Sequence, residues 1–120
     1  LHGFVLVPVP LAQKRLRQRG YNQAELIAHA ISQKLGVPVC TTILTRIKDT
    51  LPQAELNDRD ERKANVADCF RAHLPPSAKN TKVILLDDVS TSGATLTEAA
   101  VALKKAGVKK IIGLVIARAG

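Results

Sequence analysis

Residues 83–95 read V-I-L-L-D-D-V-S-T-S-G-A-T and decide how this chain of 120 residues folds. The segment begins with a run of large aliphatic residues, which is typical of a strand buried on both faces of a parallel sheet. The run stops at Asp87 and Asp88, and a turn of small residues then leads into a helix. Such a turn presents backbone N–H groups to an anion, which the helix dipole also favours. We therefore predict a strand over 82–86 and an anion-binding loop over 87–93.

The composition of this loop indicates which anion it binds. Hydroxyl side chains surround Gly93, whose missing side chain lets the backbone approach a phosphate closely. Carboxylates repel a phosphate, but they accept hydrogen bonds from the 2′- and 3′-hydroxyl groups of a ribose. A ribose 5-phosphate satisfies both ends of the loop, so Asp87 and Asp88 are the candidate sugar ligands. The candidate phosphate ligands are Ser90, Thr91, Ser92, Gly93, Ala94 and Thr95.

The same residues have a simpler interpretation, in which the two acids merely end a strand and Ser92 caps the helix. Each feature alone favours that interpretation, whereas their combination in this order favours the sugar-phosphate site. Two other phosphate motifs, G-x-x-x-x-G-K-[ST] and G-x-G-x-x-G, do not occur in the sequence.

Apolar strands and amphipathic helices alternate along the rest of the chain. This order predicts an α/β fold with a mostly parallel central sheet, helices on both faces and ligands at the carboxyl ends of the strands. Asn22 and Glu25 form a capping-box pattern at the start of the first helix, which Gly36 ends. The other predicted elements are strands over 4–9, 37–43, 66–72 and 110–117, a basic loop over 10–20, a flexible loop or flap over 45–64, a turn-rich link over 74–80 and a helix over 95–106.

Charge and composition narrow the class of protein. The formal net charge of +8 predicts an anionic partner, either a phosphorylated small molecule or nucleic acid. One Tyr and two Phe are few for a protein that stacks single-stranded bases. The length predicts one domain over 1–120, and a start at Leu1 suggests a piece of something longer. The sequence shows no apolar stretch of membrane-spanning length and no secretory signal, so we expect a cytoplasmic protein. Cys40 and Cys69 do not have the spacing of zinc ligands, and we expect both thiols to be reduced.

Residues 83–95 resemble the phosphoribosyl pyrophosphate motif of type I phosphoribosyltransferases, which consists of an apolar strand, two acids and a Thr/Ser-Gly-x-Thr turn. The stretches L-V-P-V-P-L at 6–11 and R-x-R-x-R-G-Y-N-Q at 15–23 further resemble the ComF family, whose members carry such a domain and are linked to DNA uptake. Members of that family usually begin with a cysteine-rich zinc-binding segment. This sequence contains no such segment, so we predict no zinc site.

The resemblance implies roles for individual residues. Asp87 and Asp88 are the implied catalytic acids, which hold the ribose hydroxyl groups, and residues 90–95 bind the 5-phosphate. The loop after the first strand is implied to bind pyrophosphate through Arg15, Arg17 and Arg19. The flap is implied to close over the site with Arg46 and Arg59. Asn22 is either a support of the pyrophosphate loop or only a helix cap.

The implied reaction is displacement of pyrophosphate from the anomeric carbon by a nitrogen nucleophile, with Mg²⁺ as the cofactor. These residues do not identify the acceptor, because no segment forms a clear hood over the site. A second interpretation stays open, namely a non-catalytic module of the DNA-uptake machinery that senses a ribose phosphate or binds nucleic acid or protein. The implied partners are therefore phosphoribosyl pyrophosphate, DNA or DNA-uptake proteins, and a second copy of the chain in a homodimer.

Overall fold

The computed structural model describes residues 2–47, 58, 67–78, 80–90 and 93–118. Within these residues the chain forms three α-helices, five strands and one short 3-10 turn at Pro76–Ala78. In chain order the helices and strands are β1 (Phe4–Pro8), α1 (Gln13–Arg19), α2 (Gln23–Leu35), β2 (Leu44–Arg46), β3 (Phe70–Ala72), β4 (Lys82–Ser90), α3 (Ala94–Lys105) and β5 (Ile111–Arg118).

Strand β4 lies in the middle of a parallel three-stranded sheet with the order β1-β4-β5. Leu6 of β1 pairs with Ile84, and Gly113 of β5 pairs with Leu85. This central position explains the aliphatic run of residues 83–86, all of which are buried. Strands β2 and β3 form a separate antiparallel pair. The predicted α/β fold with a mostly parallel central sheet is confirmed.

Alternate residues of β4 pack against helices on opposite faces of the sheet. Leu85 belongs to one core cluster with Leu103 of α3, and Leu86 belongs to the other cluster with Ala28 of α2. This alternation follows from the two-residue period of a strand. Each fully buried leucine contributes about 1.5–3 kcal/mol relative to an exposed one, so the two clusters hold α2 and α3 against the sheet.

The predicted strand over 37–43 is wrong, because that segment forms only a single parallel bridge between Leu6 and Val39. Pro38 is the physical reason, since it has no N–H to donate to a ladder. Its carbonyl oxygen accepts a hydrogen bond from the N–H of Leu6 (2.8 Å), and the N–H of Cys40 donates to the carbonyl oxygen of Leu6 (2.8 Å). The chain then leaves the sheet, so a short, proline-containing segment covers the outer edge of β1.

The predicted basic loop over 10–20 is also wrong, because most of it forms helix α1. The residues of this helix are Gln, Lys, Arg and Leu, which all have high helix propensity. Gly20 ends the helix with φ 79°, a left-handed conformation that glycine adopts readily. The charge density and the preceding prolines suggested a loop, but the intrinsic propensity of these residues outweighs both signals.

Two further boundaries differ from the prediction. Within the described part of the strand predicted over 66–72, which begins at residue 67, only Phe70–Ala72 form a strand, since Asp68 has φ 54° and lies in a turn. The predicted flap over 45–64 begins inside β2, and residues 48–57 and 59–64 lie outside the described residues. The helices and strands predicted around α2, α3 and β5 are confirmed to within two residues at each end.

Strand β5 is the open edge of the sheet. Its residues Ile112, Leu114 and Ile116 expose 41%, 38% and 51% of their surface, although Ile84 and Leu86, the partners of the first two in β4, are buried. Helix α2 packs on β1 and β4 but does not extend over β5. None of the described helices has the length and apolarity needed to cross a membrane. No disulfide joins Cys40 to Cys69, both of which the structure describes.

Candidate functional site

The two acids of the predicted site lie at the carboxyl end of β4, inside the strand rather than in a loop. The predicted loop over 87–93 is therefore corrected: pairing of Asp87 with Val115 and of Ser90 with Arg118 extends β4 to residue 90. Asp87 is buried, with 8% of its surface exposed, whereas Asp88 is half-buried. The two carboxylates thus have different surroundings, which allows them different roles.

The carboxyl group of Asp87 is destabilised in its charged form. Burial raises the pKa of Asp87 to about 6, and the nearby negative charge of Asp88 adds to the increase. Two groups act in the opposite direction. The backbone N–H of Asp88 donates a hydrogen bond to Oδ1 of Asp87 (3.0 Å), and the guanidinium of Arg46 contributes a positive charge. A ligand that donates hydrogen bonds or brings a cation to this carboxylate would stabilise it further.

Gly93 is the N-cap of helix α3, the next described element after this strand. Its φ of 77° lies in the left-handed region, and the space where a Cβ would stand is open. The residue is therefore glycine for its backbone conformation, and the open space leaves room for a ligand to approach. The helix continues through Ala94 and Thr95, so its amino end faces the same edge of the sheet as the acids.

The structure leaves part of the predicted phosphate loop untested. Thr91 and Ser92 lie outside the described residues, and for Ser90 only the backbone in β4 is described. The N-cap residue of α3 is Gly93. The proposed capping role of Ser92 is therefore not part of this helix start, whereas its role as a phosphate ligand stays a prediction.

Arg46 connects three parts of the site. It lies at the end of β2, where it pairs with Phe70 of β3. Its Nε–H donates a hydrogen bond to the carbonyl oxygen of Pro10 (3.0 Å), and its guanidinium lies 4.7 Å from the centre of the Phe70 ring. The same group acts on the pKa of Asp87. Sequence reasoning placed Arg46 in a flap, but the structure holds it in a strand beside the loop that follows β1.

The three arginines predicted to bind pyrophosphate are carried by α1. Arg15 and Arg19 lie four residues apart on one side of this helix, and Arg17 lies on the other side. Arg15 is half-buried, whereas Arg17 and Arg19 are exposed. The structure does not bring them together at one point, and their contact with pyrophosphate stays a prediction. Arg59 lies outside the described residues.

Asn22 has a structural role that sequence reasoning only half identified. Its side-chain oxygen accepts a hydrogen bond from the N–H of Ala24 (3.1 Å), which confirms the helix cap. In addition, its Nδ2 donates to the carbonyl oxygen of Val9 (3.1 Å). Asn22 therefore ties the amino end of α2 to the end of β1. The spacing of residues along the sequence indicates the cap but not the second hydrogen bond, because Val9 is 13 residues away.

A cavity of about 240 Å³ lies beside these residues, between the segment that follows β1, the amino end of α2, and β2. Sequence reasoning did not find it, because its walls come from segments that are distant in the chain. It is lined by Pro8, Pro10, Leu11, Gln13, Leu16, Asn22, Glu25, Thr41, Leu44, Thr45 and Arg46. Among the described residues, no three His, Cys, Asp or Glu side chains are placed to hold a metal ion by themselves.

The parallel sheet, the acids at the end of its central strand and the glycine turn before α3 define a class of protein. The family model for the phosphoribosyl transferase domain matches residues 22–120, and the chain belongs to this family.

Similar proteins agree with the resemblance to the ComF family. The chain is 38% identical to Competence protein F of Haemophilus influenzae over 118 residues, which are 95% of the chain and 50% of that protein. It is 35% identical to DNA utilization protein YhgH of Escherichia coli over 102 residues, 85% of the chain and 44% of that protein. It is 32% identical to Competence protein ComFC of Bacillus subtilis over 104 residues, 87% of the chain and 40% of that protein. The chain thus spans about half the length of these relatives or less.

Proposed function

We propose that this domain binds phosphoribosyl pyrophosphate with Mg²⁺ and transfers the phosphoribosyl group to a nitrogen acceptor. One observation carries the proposal: a buried acid and a half-buried acid lie near the carboxyl end of the central strand, and a left-handed glycine starts the helix that follows this strand in the chain. The acids provide acceptors for a ribose diol, and the helix start suits a phosphate. Membership of the phosphoribosyl transferase family supports the same ligand.

The proposed chemistry is mainly electrostatic. The bond between the anomeric carbon and pyrophosphate breaks, the electron pair leaves with the pyrophosphate, and the acceptor nitrogen forms the new bond to the carbon. Positive charge near the departing group lowers this barrier, and Arg46 together with the arginines of α1 is the proposed source. The ligand also stabilises the charged carboxylate of Asp87, because ribose hydroxyl groups that donate hydrogen bonds to it offset part of the cost of its burial.

The residues at the end of β4 fit Mg²⁺ that arrives with the ligand. Carboxylate oxygens are ligands that Mg²⁺ prefers, and the ion is usually held by one or two of them together with substrate phosphates. Asp87 and Asp88 are the residues that would hold it. The bound ion would supply charge neutralisation at the pyrophosphate.

Calorimetric titration of phosphoribosyl pyrophosphate with Mg²⁺ tests the proposal. We expect the chain to bind, and the double variant Asp87→Asn/Asp88→Asn to lose about 10-fold to 100-fold in affinity for each carboxylate, because hydrogen bonds to charged groups contribute about 1.5–3 kcal/mol. Asp68→Asn is the matched control, since it makes the same change at an exposed turn residue outside β4. Absence of binding by the unmodified chain at millimolar ligand, or equal binding by the double variant, would refute the proposal.

A second candidate function is a non-catalytic module in DNA uptake that binds DNA or protein. The net charge of +8 favours it, as do the names of two relatives, a competence protein and a DNA utilization protein. Residues 99–118 contain four lysines and one arginine and no acidic residue, which concentrates the positive charge. Binding of duplex DNA that falls steeply with salt, together with no affinity for phosphoribosyl pyrophosphate, would favour this function over catalysis.

The domain organisation, localisation and partners that we propose are those expected from the sequence. We propose a single phosphoribosyltransferase domain over 1–120 that acts in the cytoplasm. A homodimer and contact with DNA-uptake proteins are part of the same proposal. Sedimentation analysis of the purified chain would measure its oligomeric state directly.

A further inference from the structure

One face of strand β5 is apolar and exposed. Successive residues of a strand point to opposite faces of the sheet, so Ile112, Leu114 and Ile116 lie on the same face. Ile112 and Leu114 pair with Ile84 and Leu86 of β4, which belong to the core cluster on the α2 side of the sheet. The three exposed residues therefore lie on the α2 side, beyond the strands β1 and β4 on which this helix packs. We call these three residues the β5 strip.

The opposite face of β5 is better covered. Ile111 packs against the core cluster that contains Leu103 of α3. Gly113 lies on the same side, where the position of a Cβ is 3.0 Å from the side chain of Leu96 in α3. Parallel sheets are normally covered by helices on both faces, because their strands are apolar on both sides. An exposed apolar surface bordered by polar groups is typical of an interaction site, and the β5 strip is such a surface.

The amino end of the β5 strip is positively charged. The N–H of Val83 donates a hydrogen bond to the carbonyl oxygen of Lys110 (2.9 Å), so the alternation of faces extends to Lys110, two residues before Ile112. Lys82 lies on the same side, since its Nζ is 5.5 Å from the centre of the Phe4 ring in the α2-side cluster. Both lysines are exposed, and neither forms an ion pair with another described residue.

The carboxyl end of the β5 strip lies next to a negative charge. The register of β4 and β5 places Asp88 opposite Ile116, on the same face of the sheet. Asp88 is half-buried. The strip therefore extends from two cations at one end to a carboxylate at the other. A partner that complements it is acidic beside the lysines and is not acidic beside Asp88.

A helix is the element that fits this surface. The strip is about 13 Å long at about 3.3 Å per strand residue, a length that a helix covers with about nine residues. The helix dipole determines the direction, because the amino end of a helix carries a partial positive charge and the carboxyl end a partial negative charge. The amino end therefore lies beside Asp88 and the carboxyl end beside the lysines, so the helix runs antiparallel to β5.

A second copy of the chain does not supply such a helix from its described residues. Helix α1 contains four cations and no acid, namely Lys14, Arg15, Arg17 and Arg19, so the lysines of the strip repel it. Helices α2 and α3 already pack their buried residues against the sheet. The net charge of +8 adds repulsion between copies. These observations favour a different protein as the occupant.

We propose that the β5 strip is the docking site for an amphipathic helix of a partner protein, with apolar residues at i, i+3, i+4 and i+7 and acidic residues near its carboxyl end. Apolar contact with the strip provides affinity. Charge pairing with Lys82 and Lys110 fixes the orientation and excludes basic partners. This docking site does not depend on binding of phosphoribosyl pyrophosphate, so it is separate from the proposed function.

Three synthetic peptides of about 15 residues test the chemistry, since shorter isolated helices are marginally stable in water. The first has leucines at the stated spacing and glutamates near its carboxyl end. The second has lysines in place of the glutamates. The third keeps the composition of the first but has shuffled leucines, so that no apolar face forms. Each peptide carries a fluorophore and is titrated with the full chain, and fluorescence anisotropy reports binding.

We expect the glutamate peptide to bind at least about tenfold more tightly than the other two, because it alone has both the apolar face and the complementary charge. Its affinity should fall as salt screens the charges. Equal binding by the glutamate and lysine peptides, equal binding by the shuffled peptide, or no binding by any peptide would overturn the proposal.

The variant Lys110→Glu gives a readout that a loss of folding would not give. It should reverse the preference, so that the lysine peptide binds more tightly than the glutamate peptide. Lys104→Glu makes the same change at an exposed position of α3, on the other side of the sheet, and should leave the preference unchanged. Reversal by both variants would show that total charge controls binding and would contradict the proposal.

The variant Ile116→Lys tests the apolar part of the site, because it places a charge within the strip. It should weaken the glutamate peptide at least about tenfold, with urea denaturation as the check that the chain stays folded. Light scattering at low salt tests the alternative occupant. If the unmodified chain forms pairs there that Ile116→Lys separates, the occupant is a second copy and the proposed partner is wrong.

Discussion

Burial raises the pKa of Asp87 to about 6 in the folded chain, against an ordinary value of 3.8, with the charge of Asp88 as a second cause. The folded state therefore binds the proton more tightly than the unfolded state does. Asp87 opposes folding least below pH 4, where it is protonated in both states, and its destabilising effect grows as the pH rises toward and through about 6. At neutral pH this cost amounts to about 2–3 kcal/mol.

We predict that Asp87→Asn stabilises the ligand-free chain above pH 7 and that the gain disappears below pH 4. The amide has the shape of the acid without its charge, so the gain should approach about 2–3 kcal/mol at pH 8. Urea denaturation at a series of pH values measures it. Asp68→Asn, at an exposed turn position, serves as the control and should change stability little at any pH. A difference between Asp87→Asn and the unmodified chain that does not vary with pH would contradict the prediction.

Arg46 stabilises the site through its shape as well as its charge. A lysine keeps the charge but loses the planar group that lies over Phe70 and the Nε–H that reaches Pro10. We predict that Arg46→Lys lowers the free energy of unfolding by about 1 kcal/mol, mainly through loss of the hydrogen bond to Pro10, because the lysine ammonium can still lie over the Phe70 ring. It should also weaken binding of phosphoribosyl pyrophosphate.

A double-mutant cycle that combines Phe70→Leu with Arg46→Gln isolates the ring contact of Arg46, because the glutamine removes the positive charge. The leucine keeps an apolar side chain at the buried position but removes the aromatic face. We expect a coupling free energy of about 0.5–1 kcal/mol between the two positions. Strictly additive effects would show that the ring does not contribute to holding Arg46.

At the scale of the elements, the start of α3 is the junction on which the proposed phosphate site depends. We predict that Gly93→Ala lowers stability by about 1–2 kcal/mol, because a residue with a Cβ is strained at φ 77° although the surrounding space is open. Gly36→Ala is a matched control, since Gly36 also has a positive φ, of 70°, and open space but ends α2. Both variants should lose similar stability in urea, and only Gly93→Ala should also weaken phosphoribosyl pyrophosphate binding. Equal binding by the two variants would argue against a phosphate at this helix start.

The sequence predicted correctly those helices and strands whose residue pattern and terminal residues match their burial in the fold. Strand β4 was recognised because an aliphatic run that is buried on both faces has no polar residue to interrupt it, and α2 was recognised because Asn22 and Gly36 mark its ends. Helix α1 was missed because its cations obscured a strong helix propensity. The segment over 37–43 alternates like a strand, yet Pro38 permits only one bridge. Arg46 was named as a candidate site residue, but its contacts with Pro10 and Phe70 and the cavity could not be predicted, because they join residues that are far apart in the chain.

At the scale of the whole molecule, a net charge of +8 is combined with an exposed apolar strand. We expect charge repulsion between copies to oppose self-association of this strand at low ionic strength, and salt screens that repulsion, with a Debye length of about 10 Å at 0.1 M. We predict that light scattering reports increasing self-association between low salt and about 0.5 M salt.

The variant Ile116→Lys should suppress this self-association, because it places a charge on the exposed strand β5. Val101→Lys adds the same charge at an exposed position of α3 and should have a much smaller effect. Equal suppression by the two variants would show that total charge, and not the strand, controls association.

The two edges of the central sheet differ within the described part of the chain. This difference determines how many other molecules can pair with the sheet. At one edge Pro38 and the bridge at Val39 leave little backbone for a further strand, whereas at the other edge β5 is uncovered. In the language of polymer chemistry, the described part of the central sheet is monofunctional: it can join one other such sheet edge to edge, and the product has no open edge of this sheet left. Association through β5 should therefore stop at pairs and should not grow into fibres.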